Sequence, residues 1–231
     1  LFGDLPTQEE LSKFITDLRN NREIPEAIYQ NLKNRPITAS PMDVLQSCIS
    51  QLLDYDLDIH DDSREMNIKR AKMLISKIPT IVAVWDRIRN GKEIIEPSNE
   101  LTNAENFLYM LFGTKPNHEE AKIFDICLIL HAEHSFNAST FAAREIASTK
   151  AHIYGSITGA IAALSGSLHG GANMQVMKML LDISKIYRAD KWVTRRLEQG
   201  DRIMGMGHAV YKTTDPRAEV LYRLSKTVNK E

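Results

Sequence analysis

The sequence predicts an all-α fold. Three observations carry that prediction. Apolar residues recur at helical spacing along most of the 231 residues, as in Leu11, Phe14, Ile15 and Leu18, the period of a helix with one buried face. Helix starts and stops are marked. Thr7 with Glu10 reads as a capping box, Ser40 precedes Pro41 at a first helical position, and Gly91, Gly113, Gly166 and Gly200 close apolar runs. Strand alternation is lacking, apart from a short extended piece near Ile203.

The elements follow in order. A first helix is expected from the Thr7 cap to about residue 22, then a short helical turn after Pro25. The helix opened by Ser40-Pro41 turns Met42, Leu45, Ile49, Leu52 and Leu53 to its apolar face. Residues 54–65 place acids at the first, third, fifth, ninth and twelfth positions of a calcium loop. The sixth position needs glycine and holds Ile59, so the stretch reads as an acidic surface connection. A long helix over 63–90 carries Pro79, which predicts a kink, and is apolar on more than one face near 78–85. Such a helix needs cover on both sides, from a second subunit among other candidates. After a connection at 97–99, residues 103–112 form a helix stopped by Gly113. The helix over 118–131 is apolar nearly all round and is expected to be central. His131, Glu133 and His134 at its end make a weak zinc set with no evident third partner, and no metal is expected. Asn137 caps 138–148. Residues 154–164, rich in Ala, Gly and Ser, predict a close-packing helix. A helix over 172–186 should face Val176, Met179, Leu180 and Ile183 inward, with Met174, Met177 and Met179 as core. A short helix over 192–197 and a last one opened by Asp215-Pro216 complete the series.

Charge is balanced, with 29 basic and 30 acidic residues and a net charge of −1. That argues against nucleic acid or a polybasic membrane surface as partner. Cys48 and Cys127 are the only cysteines. Two define no disulfide framework, which favours a reducing compartment, the cytoplasm. The most apolar stretch, 123–130, is too short to span a membrane and carries Asp125. The opening Leu1-Phe2-Gly3 and the closing Lys230-Glu231 read as the ends of a piece of a longer chain.

Two stretches concentrate the polar chemistry. In Ser165-Gly166-Ser167-Leu168-His169-Gly170-Gly171-Ala172-Asn173, a histidine sits beside two glycines that keep bulky neighbours from a ligand. A helix starts within three residues, so its unpaired N–H groups are expected to point to the same place. In the second, Gly205-Met206-Gly207-His208 is followed by Lys212 and by Asp215-Pro216-Arg217-Ala218. Two histidines in glycine settings, with an arginine after the second, point to chemistry on an anionic substrate. Taken singly, each has a plainer role: His169 as a helix cap, the glycines as a tight turn, Lys212 as a solvated lysine.

Taken together, these stretches resemble the citrate synthase family. The match runs through 167–173 and 204–218, with His134 and Asn137-Ala138-Ser139-Thr140 as a third stretch, and extends over nearly the whole chain. The resemblance implies most of a large helical domain, residues 1–172, and the first part of a small domain, 173–231. It implies an acyltransferase that condenses acetyl-CoA with oxaloacetate and hydrolyses citryl-CoA. His169 would hydrogen-bond the thioester carbonyl of acetyl-CoA as it becomes an enol, and His208 would polarise the ketone of oxaloacetate. His134 and Arg217 would hold oxaloacetate. Lys212 would lie toward the CoA phosphates, and the backbone of Gly205, Met206 and Gly207 would meet the adenine. Acetyl-CoA is then a co-substrate, with no permanently bound cofactor, and the protein is expected to be a homodimer.

The aspartate that takes the methyl proton in the family has no match within 1–231, so this piece alone is expected to be inactive. Three stretches depart from the usual pattern: Glu133-His134-Ser135 stands for Asp-His-Glu, Ser167 for proline, and Ala209 for the arginine of many bacterial members, though alanine also occurs. 2-Methylcitrate synthase, using propionyl-CoA, differs by one methylene of acyl pocket and remains an alternative. A non-catalytic helical dimerisation fragment is another.

Overall fold

The structure is a computed structural model and describes residues 2–132, 136–207 and 212–228. Eleven α-helices are present among them: α1 (Gln8–Arg19), α2 (Glu26–Lys33), α3 (Pro41–Leu52), α4 (Arg64–Arg89), α5 (Asn103–Phe112), α6 (His118–Ala132), α7 (Ala138–Ser148), α8 (Ile153–Ser165), α9 (Gly171–Ile183), α10 (Ala189–Glu198) and α11 (Pro216–Val228). Short 3-10 turns occupy Leu53–Tyr55 and Ile186–Arg188. No strand occurs among the described residues, at Ile203 or elsewhere.

Local signals set most of these boundaries. Thr7 and Glu10 form a reciprocal capping box at α1, and Thr102 with Glu105 forms a second at α5. Ser63 and Asn137 cap α4 and α7 through their side chains. α1 ends at Arg19, before the expected residue 22. Asn21 bonds back to the Asp17 carbonyl, and Arg22 leaves the helix to be buried.

The chain divides into two compact units, residues 1–162 and 163–231, with the division inside α8. In the first unit α4 is the central helix and packs on α1, α2, α3 and α5. Ile28 and Leu32 of α2, Val44 and Ile49 of α3, Ile81 and Val84 of α4, and Tyr154 of α8 form one buried cluster. Apolar residues on several faces of α4 are what this position requires. The expectation that α6 is central is corrected. Among its described residues only Ala121 is buried, while Ile129 is 64% exposed. α6 lies on α5, where Phe107 and Phe124 stack at 5.1 Å, while Leu128 and Ile129 are exposed.

Three buried arginines tie loops to this frame. Arg22 donates to Ser98 O and to Asn103 Oδ1 at 2.8 Å, and Arg87 to Glu93 O and Leu111 O. A guanidinium offers five donors and can satisfy loop carbonyls that no helix pairs. Burial, and then the nearby charge of Arg19, lower the Arg22 guanidinium to about 10. Arg70 enters the acidic connection. Its Nε donates to Asp56 Oδ2 at 2.6 Å, Nη1 to Asp61 O at 2.6 Å, and Nη2 to Asp58 O. An internal guanidinium thus occupies the turn that resembles a calcium loop. Tyr154 Oη also donates to Asp56 Oδ2, at 3.0 Å, and joins the start of α8 to the same carboxylate.

In the second unit no described residue is fully buried. Met174, Met177 and Leu180 of α9 are each more than half exposed, so these three are not the expected core, while Val176, Met179 and Ile183 are half-buried as their inward placing requires. A short unit of three helices lacks the surface to enclose two faces of α9. α9 stops at Ile183, not 186, where Ser184 adopts φ +56°.

Candidate functional site

The first site stretch is a turn between α8 and α9. His169 N–H donates to Gly166 O at 3.0 Å, and Gly171 N–H to the same carbonyl at 3.1 Å. The reversal lays the turn against the end of α8. A Cβ built on Gly170 would stand 2.5 Å from Leu164 O, and one on Gly171 would stand 2.9 Å from Gly166 O. Backbone cannot yield as a flexible side chain does, so both positions demand glycine for close approach. Gly170 itself has φ −65°, an ordinary value. The glycine pair is therefore explained by packing on α8, where the sequence suggested ligand access.

The start of α9 also differs from expectation. Ala172 N–H donates to His169 O and Asn173 N–H to Gly170 O, both at 3.2 Å. With Gly171 N–H on Gly166 O, the first three N–H groups of α9 are already bonded to the turn. An anion site built from unpaired helix N–H groups is thus not supplied here. In this turn His169 is half-buried, beside a Leu168 that is 97% exposed.

The second stretch begins with a turn in which Met206 N–H donates to Ile203 O at 3.3 Å. Gly205 and Gly207 have φ +82° and +86°. This is the left-handed region, where a side chain is strained. A Cβ on Gly205 would meet Val176 Cγ2 at 3.1 Å, so this turn rests against α9, about one and a half helical turns from its start. One helix therefore carries both glycine turns. Met206 and Lys212 are exposed.

Arg217 is at the second position of α11. Asp215 Oδ1 accepts the Arg217 backbone N–H at 2.9 Å and Nε at 3.1 Å, and Oδ2 accepts Nη2 at 2.7 Å. The positive end of a helix dipole disfavours a cation, and the Asp215 carboxylate compensates it. His134 and His208 lie outside the described residues.

A feature that the spacing did not reveal is a cleft of about 470 Å³ in the second unit, beside the Gly205 turn. Lys178 and Asp182 of α9, Trp192 and Arg196 of α10, and Arg202 and Met204 line it. Trp192 Nε1 donates to Asp182 Oδ2 at 2.7 Å, and the Arg196 guanidinium lies 5.0 Å from the Trp192 ring centre. The cleft, which also holds Asp201 paired with Arg196 at 2.7 Å, was unreadable in sequence because it joins residues from α9, α10 and the connection after α10.

The second unit thus carries two glycine turns on one helix, a half-buried histidine and a carboxylate-held arginine. Comparison with known proteins supplies the family. The model of the citrate synthase C-terminal domain matches residues 1–231, and the chain belongs to the citrate synthase family. It is 42% identical to a citrate synthase of Deinococcus radiodurans, over 100% of this chain and 62% of the relative. It is also 42% identical to 2-methylcitrate synthase 1 of Corynebacterium glutamicum, over 94% of this chain and 58% of the relative. The chain thus spans about three-fifths of the length of these relatives. Among solved structures, the ternary complex of Thermoplasma acidophilum citrate synthase with carboxymethyl coenzyme A and oxaloacetate matches with a TM-score of 0.91 at 28% identity, over 99% of this chain and 60% of that one. Thermotoga maritima citrate synthase matches with a TM-score of 0.82 at 38% identity, over 98% and 59%.

Proposed function

We propose that this chain supplies most of the large domain, residues 1–172, and the first part of the small domain, 173–231, of an enzyme that condenses acetyl-CoA with oxaloacetate. The observation that carries the reading is the placement of both glycine turns on α9, with His169 in one of them. His169 would donate to the thioester oxygen of acetyl-CoA. A placed donor lowers the barrier because charge grows on that oxygen as the enol forms. His208 would polarise the ketone of oxaloacetate. Arg217 and His134 would hold its carboxylates, arginine being suited to two parallel bonds. Residues 205–207 and Lys212 would meet coenzyme A, and the cleft beside Met204 leaves room for its anionic end. Hydrolysis of citryl-CoA would then release citrate. No resident cofactor is needed, since acetyl-CoA is consumed.

The exposed apolar surface of α6 and α7, including Leu128, Ile129 and Phe141, supports a homodimer. The free cysteines Cys48 and Cys127 fit a reducing, cytoplasmic setting.

A second reading, 2-methylcitrate synthase, is favoured by the equal identity to the Corynebacterium relative. Thiol release from acetyl-CoA and propionyl-CoA, with oxaloacetate, separates the two in a chain as long as the relatives. Faster release from acetyl-CoA is expected, and faster release from propionyl-CoA would favour the second reading. Residues 1–231 alone should release no thiol above a protein-free control, because none of them matches the family's proton-accepting aspartate.

A further inference from the structure

We propose that Met206 is a modification site, at which reversible oxidation to the sulfoxide weakens binding of the acyl-CoA. The inference rests on the reading of residues 205–207 given above. Met206 stands between two glycines in the left-handed region, at φ +82° and +86°. The turn is held on its Gly205 side by α9, since a Cβ on Gly205 would meet Val176 Cγ2 at 3.1 Å. Met206 itself is 77% exposed, so folding draws little on this long apolar side chain. Glycine on either side offers no side chain to shield its sulfur. Of the nine methionines, only Met174, Met177 and Met206 are exposed. All three lie within two residues of the approach of Gly205 to Val176. Peroxide access is thus concentrated at the turn assigned to coenzyme A.

The chemistry supplies the switch. A thioether is polarizable and packs favourably at the edge of an aromatic ring, such as the adenine of coenzyme A. Its oxidation takes one equivalent of hydrogen peroxide. The sulfur attacks one peroxide oxygen, the O–O bond breaks and an S–O bond forms. Sulfur gives up two electrons, and the second oxygen leaves as water. The product is a polar, chiral sulfoxide that loses the apolar contact. A thiol-dependent sulfoxide reductase reverses the step: two thiols become a disulfide and the oxygen leaves as water.

The test uses the chain at the length of its relatives. It is treated with hydrogen peroxide, cleared with catalase and mapped by peptide mass spectrometry. Oxidation at Met206 should raise the KM for acetyl-CoA about tenfold, the loss of one good contact, while kcat and the calorimetric affinity for oxaloacetate stay within about twofold. Sulfoxide reductases with dithiothreitol should restore KM. Dithiothreitol alone should not, which separates Met206 from Cys48 and Cys127. Each variant is compared with its own unoxidised form. Peroxide should leave the KM of Met206→Leu within about twofold and should still raise that of the Met174→Leu, Met177→Leu pair. Oxidised Met206 with an unchanged KM, a response that survives Met206→Leu, or recovery with dithiothreitol alone would overturn the proposal. So would a Met206 that stays intact while Met174 and Met177 react. Saturating acetyl-CoA during the peroxide treatment should protect Met206. Equal oxidation with and without it would instead overturn the reading of residues 205–207.

Discussion

Asp56 shows how single residues hold this fold. It receives Arg70 Nε and Tyr154 Oη, and so joins α4, α8 and the acidic connection. Burial pushes its carboxyl up, but the hydrogen bonds from Arg70 and Tyr154 and the Arg70 charge outweigh that and hold it below the usual range. A depressed folded value means that the contribution is complete above the unfolded value of about 3.9 and is lost as pH falls through the folded one. Asp56→Asn leaves the Arg70 guanidinium buried beside a neutral partner, which should destabilise by about 3 kcal/mol at neutral pH. Denaturant unfolding of both proteins from pH 7 downward measures this. The gap should stay constant to about pH 5 and shrink below about pH 4. A gap independent of pH would show that the carboxylate charge is not what binds Arg70.

Among the elements, starts were more legible than positions. Thr7 with Glu10 and Asn137 announced α1 and α7, because a cap is a signal within three residues. The two glycine turns were legible as motifs for the same reason. The place of α6 was not. An apolar circumference says that a helix wants cover and does not say what provides it. Likewise the bonding of the first N–H groups of α9 depends on how the chain reverses after α8, and the filling of the acidic turn depends on Arg70, fourteen residues after Asp56. Neither is written in residue spacing. The exposed face of α6 carries its own prediction. Ile129→Asp places a charge on a side chain that is 64% exposed in the single chain. If that face is a subunit interface, sedimentation should show a dimer for the wild type and a monomer for the variant. An unchanged dimer would remove α6 from the interface.

At the scale of the whole molecule, an all-α first unit has a buried core, and the helices of the second unit carry the candidate site and little core of their own. α4, buried against four other helices, centres the core of the first unit. In the second unit α9 organises the site because both glycine turns rest on it or begin it. The glycine motifs there were readable in the sequence, and the structure gives the steric reason for Gly170, Gly171 and Gly205. The central claim is that His169, in the turn between α8 and α9, acts on the thioester and not on oxaloacetate. His169→Gln, in the chain at the length of its relatives, tests it through thiol release from acetyl-CoA together with calorimetric binding of oxaloacetate. Turnover should fall at least about a hundredfold, as for loss of a donor to a developing oxyanion, while the oxaloacetate dissociation constant stays within about twofold. Turnover near the wild-type value, or a loss of oxaloacetate affinity as large as the loss of turnover, would contradict the account.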